Sequence, residues 1–149
     1  MTERFETFTV LINRISRNIR KIKNNEMREY DLRSAHISCL YYAYTTEGIN
    51  FSELCEKCEE DKATVSRTLD YLKREDYITE TGNEKKYKNP IVLTEKGREA
   101  GKRIADKINA VLDEISACLT EEERRAFYKS LAAISDSLDT VARRNEEKA

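Results

Sequence analysis

Apolar residues step along the first helical stretch by alternating threes and fours: Phe5, Phe8, Ile12, Ile15, Ile19 and Ile22. That spacing predicts a helix whose narrow apolar seam packs lengthwise on a partner. Near the other end Thr120 and Glu123 form a capping-box pattern, and Phe127, Leu131, Ile134, Leu138 and Val141 repeat the same spacing. Before it, Ile104, Ile108, Leu112, Ile115 and Leu119 mark one stripe of a helix expected to begin at Thr94. Three long amphipathic helices thus flank the middle of the chain. They suit a three-helix bundle within one chain or, since the terminal seams lie far apart in sequence, a two-fold homodimer built from residues 1–25 and 95–149. The expected assembly is the homodimer, with Phe5, Phe8, Ile12, Ile15, Ile19, Phe127, Leu131, Ile134 and Leu138 as its contacts.

Residues 31–94 are patterned differently. Ile37, Leu40, Tyr41 and Tyr44 predict a helix that stops near Gly48. Asn50 and Glu53 read as the cap of a short helix turning Leu54, Cys55 and Cys58 inward. Asp61 caps the next, with Val65, Leu69 and Leu72 inward and Lys62, Ala63, Thr64, Ser66 and Arg67 outside. Two helices joined by about three residues make a helix-turn-helix. The stretches "YITET" and "NPIVL" then read as strands on either side of "GNEKKYK". The expected fold is mainly α with a small two-stranded β-wing, a winged helix-turn-helix carrying long terminal helices.

Composition narrows the function. At 149 residues the chain fits a single domain with helical extensions. Charged residues make up 37% of it yet cancel to a net charge of -1, so their placement matters more than their sum. Between Gly82 and Arg103 seven Lys or Arg stand against three Glu, and Arg14 to Lys23 holds five cations and no acid. With neither an apolar leader nor a membrane-length apolar run, the expected location is the cytoplasm, where Cys39, Cys55, Cys58 and Cys118 would be reduced thiols.

DNA bases are read in the major groove by side chains near the start of a recognition helix, where small residues permit close approach and Arg offers two donors to guanine. Thr64, Ser66 and Arg67 suit that task, with Ala63 beside them on the exposed front, and Lys62 suits a phosphate. Lys85, Lys86 and Lys88 suit phosphates, as a helix N-terminus does. The expected partner is double-stranded DNA.

The segment "FSELCEKCEEDKATVSRTLDYLKREDYI" and, after it, "NPIVLTEKGREAG" resemble the MarR (multiple antibiotic resistance regulator) family of bacterial winged-helix transcription factors in order and wording. The likeness of layout covers essentially the whole chain. It implies a homodimer whose recognition helices enter successive major grooves of a pseudo-palindromic site, usually as a repressor. It also implies a small aromatic or lipophilic effector, bound between the dimerisation helices and the DNA-binding lobe, that relieves repression. Tyr41, Tyr42 and Tyr44 are candidate neighbours of such a pocket and equally candidate core and surface tyrosines. Two departures stand out. Many members carry Asp and, two positions on, a minor-groove Arg in the wing, where this chain has Lys85 and Tyr87. Tyr87 would stack or bond a phosphate there. Glu59 occupies the turn position that many relatives fill with Gly.

The same residues admit other functional classes. His36, Cys39, Cys55 and Cys58 approach the spacing of a structural zinc site and would support a metal or redox sensor, but each pair falls inside a predicted helix, which favours core packing. A winged helix can also serve as a protein-interaction scaffold without sequence-specific DNA binding. A basic first helix lying on a membrane would compete with the dimer seam. One histidine, no nucleophile in a recognisable setting and no Gly-rich phosphate loop give no basis for an enzyme or a bound cofactor.

Overall fold

Local capping sets most element boundaries. The computed structural model describes residues 3–58, 60–79 and 88–149, with side chains from Thr7 onward. Helix α1 spans Glu3–Glu26, a 3-10 turn spans Arg28–Tyr30, and α2 spans Ser34–Thr45. Then come α3 (Phe51–Cys58), α4 (Lys62–Arg74), β1 (Ile78–Thr79), β2 (Val92–Leu93), α5 (Glu95–Ser116) and α6 (Glu121–Glu146). Asn50 and Glu53 cap α3 reciprocally, the Glu53 N–H donating to Asn50 Oδ1 at 2.9 Å and the Asn50 N–H to Glu53 Oε2 at 3.0 Å. Thr120 and Glu123 do the same for α6. Each cap satisfies orphan N–H groups of a first turn.

The chain divides into two compact units, Met1–Ile108 and Asn109–Ala149. In the first, Ile37 and Leu40 of α2, Leu54 of α3, Val65 and Leu72 of α4 and Ile104 of α5 are almost wholly buried, together with Met27, Leu32 and Ile49 from the connections. The helix spacing put Ile37, Leu40, Leu54, Val65, Leu72 and Ile104 inside. It did not flag the connecting residues, which carry no periodicity. Several inward assignments are corrected in degree: Leu69, Cys55 and Cys58 are half-buried at the edge of the core, while Thr68 is buried. Leu119 does not belong to the α5 stripe, because the helix ends at Ser116 and Leu119 lies in the turn before α6.

The strands pair antiparallel, Ile78 opposite Leu93 and Thr79 opposite Val92. A further bridge joins Asn50 to Pro90, with the Ile91 N–H donating to the Ile49 carbonyl at 2.8 Å. The entry to α3 is thereby tied to the base of the hairpin, a long-range pairing that the strand pattern alone did not predict.

Helix α4 stops in a left-handed turn at Asp76, φ 62°. The Tyr77 N–H reaches back to the Leu72 carbonyl and the Asp76 N–H to that of Lys73, a Schellman arrangement with Asp where Gly is usual. Lys96 of α5 donates to the Glu75 carbonyl at 2.7 Å and sits over the Tyr77 ring, favouring the negative end of α4. Gly97 allows this approach. A Cβ there would lie 1.9 Å from the Tyr77 carbonyl oxygen.

Candidate nucleic-acid interface

The site begins at the N-terminus of α4. Asp61 is the cap, accepting from the Thr64 N–H at 2.6 Å. Hydrogen bonds from the Thr64 N–H and hydroxyl hold its carboxyl below the ordinary value, and the Arg67 guanidinium helps. Lys62, Ala63 and Arg67 are exposed, whereas Thr64 and Ser66 are half-buried, so these two are less open than the helical spacing suggested. Arg67 lies one turn beyond Thr64 and donates from Nη2 to its hydroxyl at 3.4 Å, which aims the guanidinium back toward the helix start. One short turn therefore presents a lysine, a methyl group and an arginine fork at the positive end of the helix. These are the groups that phosphates and base edges accept.

The rear of α4 is fixed by contacts that sequence spacing missed. Tyr71 donates to the Asp31 carbonyl at 3.1 Å and stacks on His36, ring centroids 4.2 Å apart and 15° between planes. His36 Nδ1 in turn accepts from the Arg33 N–H at 3.0 Å, closing a capping box at the start of α2. Burial, and then the Arg33 charge, lower the His36 pKa. Tyr71 and Asp31 are 40 residues apart. No local pattern announces such a pair.

Of the wing cations, Lys88 is exposed in the turn before Pro90. Lys85, Lys86 and Tyr87 lie outside the described residues, as does Glu59. The seams predicted for dimerisation are open in the single chain: Ile12, Ile15, Ile19, Phe127, Ile134 and Leu138 are each at least 38% exposed, and Phe8 and Leu131 are half-buried. Phe5 belongs to α1, its side chain outside the described part. Tyr41, Tyr42 and Tyr44 are half-buried; Tyr41 and Tyr42 pack edge to face beside the core, and Tyr44 lies against Gly101.

The His36, Cys39, Cys55 and Cys58 set is not gathered as ligands. Among the described residues no three His, Cys, Asp or Glu side chains are placed to share a metal ion. His36 is taken up by Arg33 and Tyr71, while Cys39 and Cys58 face each other with Sγ atoms 3.8 Å apart. Among the described residues no helix is long and apolar enough to cross a membrane.

No protein-family model matches the chain. It is 30% identical over 117 residues to the HTH-type transcriptional regulator SarZ of Staphylococcus aureus, covering 78% of both proteins. In structure it resembles NMB1585, a MarR family regulator from Neisseria meningitidis, with a TM-score of 0.81 at 20% identity over 94% of this chain and 96% of that one. The S. aureus MepR–DNA complex gives 0.77 at 21% identity, over 91% and 99% of the two chains.

Proposed function

Given that the chain belongs to the MarR family of winged-helix transcriptional regulators, we propose that it is a homodimeric repressor that binds a pseudo-palindromic DNA site and is released by a small lipophilic or aromatic effector. The observation that carries the DNA-reading part is the exposed first turn of α4, where Lys62, Ala63 and Arg67 surround a capped helix N-terminus. In this reading Arg67 addresses a base edge, with Thr64 holding its fork and Ala63 leaving room for a thymine methyl group. Ser66, Lys62, Lys88 and the wing residues Lys85, Lys86 and Tyr87 bind backbone, the lysines by charge.

The open seams of α1 and α6 support self-association, since apolar surface left uncovered on a monomer marks an interface. A two-fold dimer presents two copies of α4, and half-sites then fall about 10 base pairs apart, one turn of the duplex. The effector acts by favouring a spacing of the two lobes that no longer matches that turn. A coupling of about 1–3 kcal/mol suffices.

Titrating the purified protein on the duplex upstream of its own coding region, beside a scrambled duplex at near-physiological salt, tests the reading. The expected preference is about a thousandfold. Equal, weak binding to both that duplex and a library of random sequences would refute it.

A further inference from the structure

Cys39 is buried in α2, and Cys58 is the last residue of α3, half-buried, with the two Sγ atoms 3.8 Å apart. Of the described groups, this pair of thiols is left unused by the DNA-reading surface and by the dimer seams. We propose that Cys39 and Cys58 are an oxidation site, converted by a hydroperoxide into an intrachain disulfide that shifts the end of α3 and lowers the affinity of α4 for DNA. The consequence for DNA rests on the function proposed above; the bond itself does not.

The two thiols are unequal. The hydrogen bond from the Cys39 S–H holds the Cys58 pKa below its ordinary value, and the Lys23 ammonium adds to this against burial and Glu60. The same contact and burial push Cys39 up. Lys23 is itself anchored beside the pair, donating to Ser38 Oγ at 3.0 Å. Cys58, the more accessible and more readily ionised, is therefore the nucleophile. Its thiolate attacks the outer peroxide oxygen, the O–O bond breaks, and the leaving alkoxide takes a proton from water, giving Cys58 sulfenic acid and an alcohol. Cys39 sulfur then attacks the Cys58 sulfur, the S–O bond breaks, and hydroxide leaves with the Cys39 proton as water. Two thiols lose two electrons and one peroxide gains them.

Closing 3.8 Å to a bond of about 2.05 Å draws the sulfurs together by nearly half their separation. Cys39 is held in the core, so the movement falls on Cys58 at the terminus of a helix of 8 residues. Asp61, the cap of α4, follows three residues later. A shift there re-aims the turn that carries Lys62, Ala63 and Arg67.

The test uses the full chain carrying Cys118→Ser, which removes the exposed thiol while keeping a donor to the Ile115 carbonyl. After hydrogen peroxide treatment, peptide mass mapping without reductant should find Cys39 and Cys58 linked, two hydrogens lighter, with Cys55 still open to alkylation. Affinity for the operator duplex should fall about tenfold, as for one misread base pair, and return with dithiothreitol. Cys58→Ser, assayed beside it, should bind like the reduced protein with or without peroxide. A Cys58 that stops at the sulfinic acid or links to Cys55 would overturn the site, and a Cys39–Cys58 bond that leaves DNA affinity unchanged would overturn the switch. Formation of the bond in a protein that binds no DNA in either state would support the site and reject the function on which the switch depends.

Discussion

Replacing Gly97 by Ala sets two effects against each other. Ala is the better helix former by about 1 kcal/mol, and by that alone the variant would gain stability. The added Cβ, however, would lie 1.9 Å from the Tyr77 carbonyl oxygen, 2.9 Å from its carbon and 3.3 Å from Leu93 Cδ2. Restoring an ordinary C···O contact of about 3.3 Å needs a movement of about 1.4 Å. Backbone must make it, because the obstructing atom is not the end of a flexible side chain. Overpacking of this kind costs about 1–3 kcal/mol. The Tyr77 carbonyl also accepts from the Thr94 N–H at 3.1 Å, and losing that bond in a half-buried setting costs about 1–3 kcal/mol more. The clash wins, for a net loss of about 3 kcal/mol. Urea unfolding followed by far-ultraviolet circular dichroism at fixed protein concentration measures it, the chain having no Trp for fluorescence. Gly48→Ala is the control: its φ is 76° but nothing lies within 4 Å, so only left-handed strain of about 1–2 kcal/mol applies. A Gly97→Ala protein as stable as the parent, or less perturbed than Gly48→Ala, would refute the close approach of α5 to the strand entry.

Arg67→Ala should weaken specific binding by about 1–3 kcal/mol and relax selection at one base pair per half-site, measured by titration on a panel of single-base operator variants; an unchanged panel would show that α4 is not the reading element. Lys88→Ala should weaken binding to all duplexes alike and lower the slope of log affinity against log salt by about one unit, and an effect confined to one sequence would remove Lys88 from the phosphate contacts. His36 has a pKa lowered from 6.5, so between its folded value and 6.5 the unfolded chain binds more protons. Stability therefore declines as pH falls below about 6.5 and stops declining on this account once pH is below the folded value. His36→Gln keeps an acceptor for the Arg33 N–H and should abolish that segment of the unfolding profile, which no other histidine can supply; persistence of the segment would refute the assignment.

How much of this was legible in the sequence follows from the range of each interaction. Asn50 with Glu53, Asp61 with Thr64 and Thr120 with Glu123 are bonds across three residues, so side-chain type and spacing were enough to find them. The apolar stripes were equally local, and they placed Val65 and Leu72 inside and Arg67 outside. What could not be read was closure over distance. Ile49 with Ile91, Tyr71 with Asp31 and Cys39 with Cys58 meet only after the helices have packed. Thr68 is polar, so the apolar pattern passed over it, yet it is buried with Val65 and Leu72 of the same helix. The cysteines illustrate the limit best: their spacing approached that of ligands, and folding engages His36 with Arg33 and Tyr71 while pairing Cys39 with Cys58.

The carboxylate of Asp61 has a consequence for time rather than affinity. It keeps its charge at the very nose of α4, where a duplex would meet the protein first. In the proposed DNA complex a negative group there would be repelled by phosphate on every sequence, and the contact of Arg67 with its base would be what offsets it. Wrong sites would then be vacated sooner than an all-cationic nose would allow. A protein searching a chromosome spends its time mostly on such sites, so in that complex the residue that caps the helix would also shorten the search.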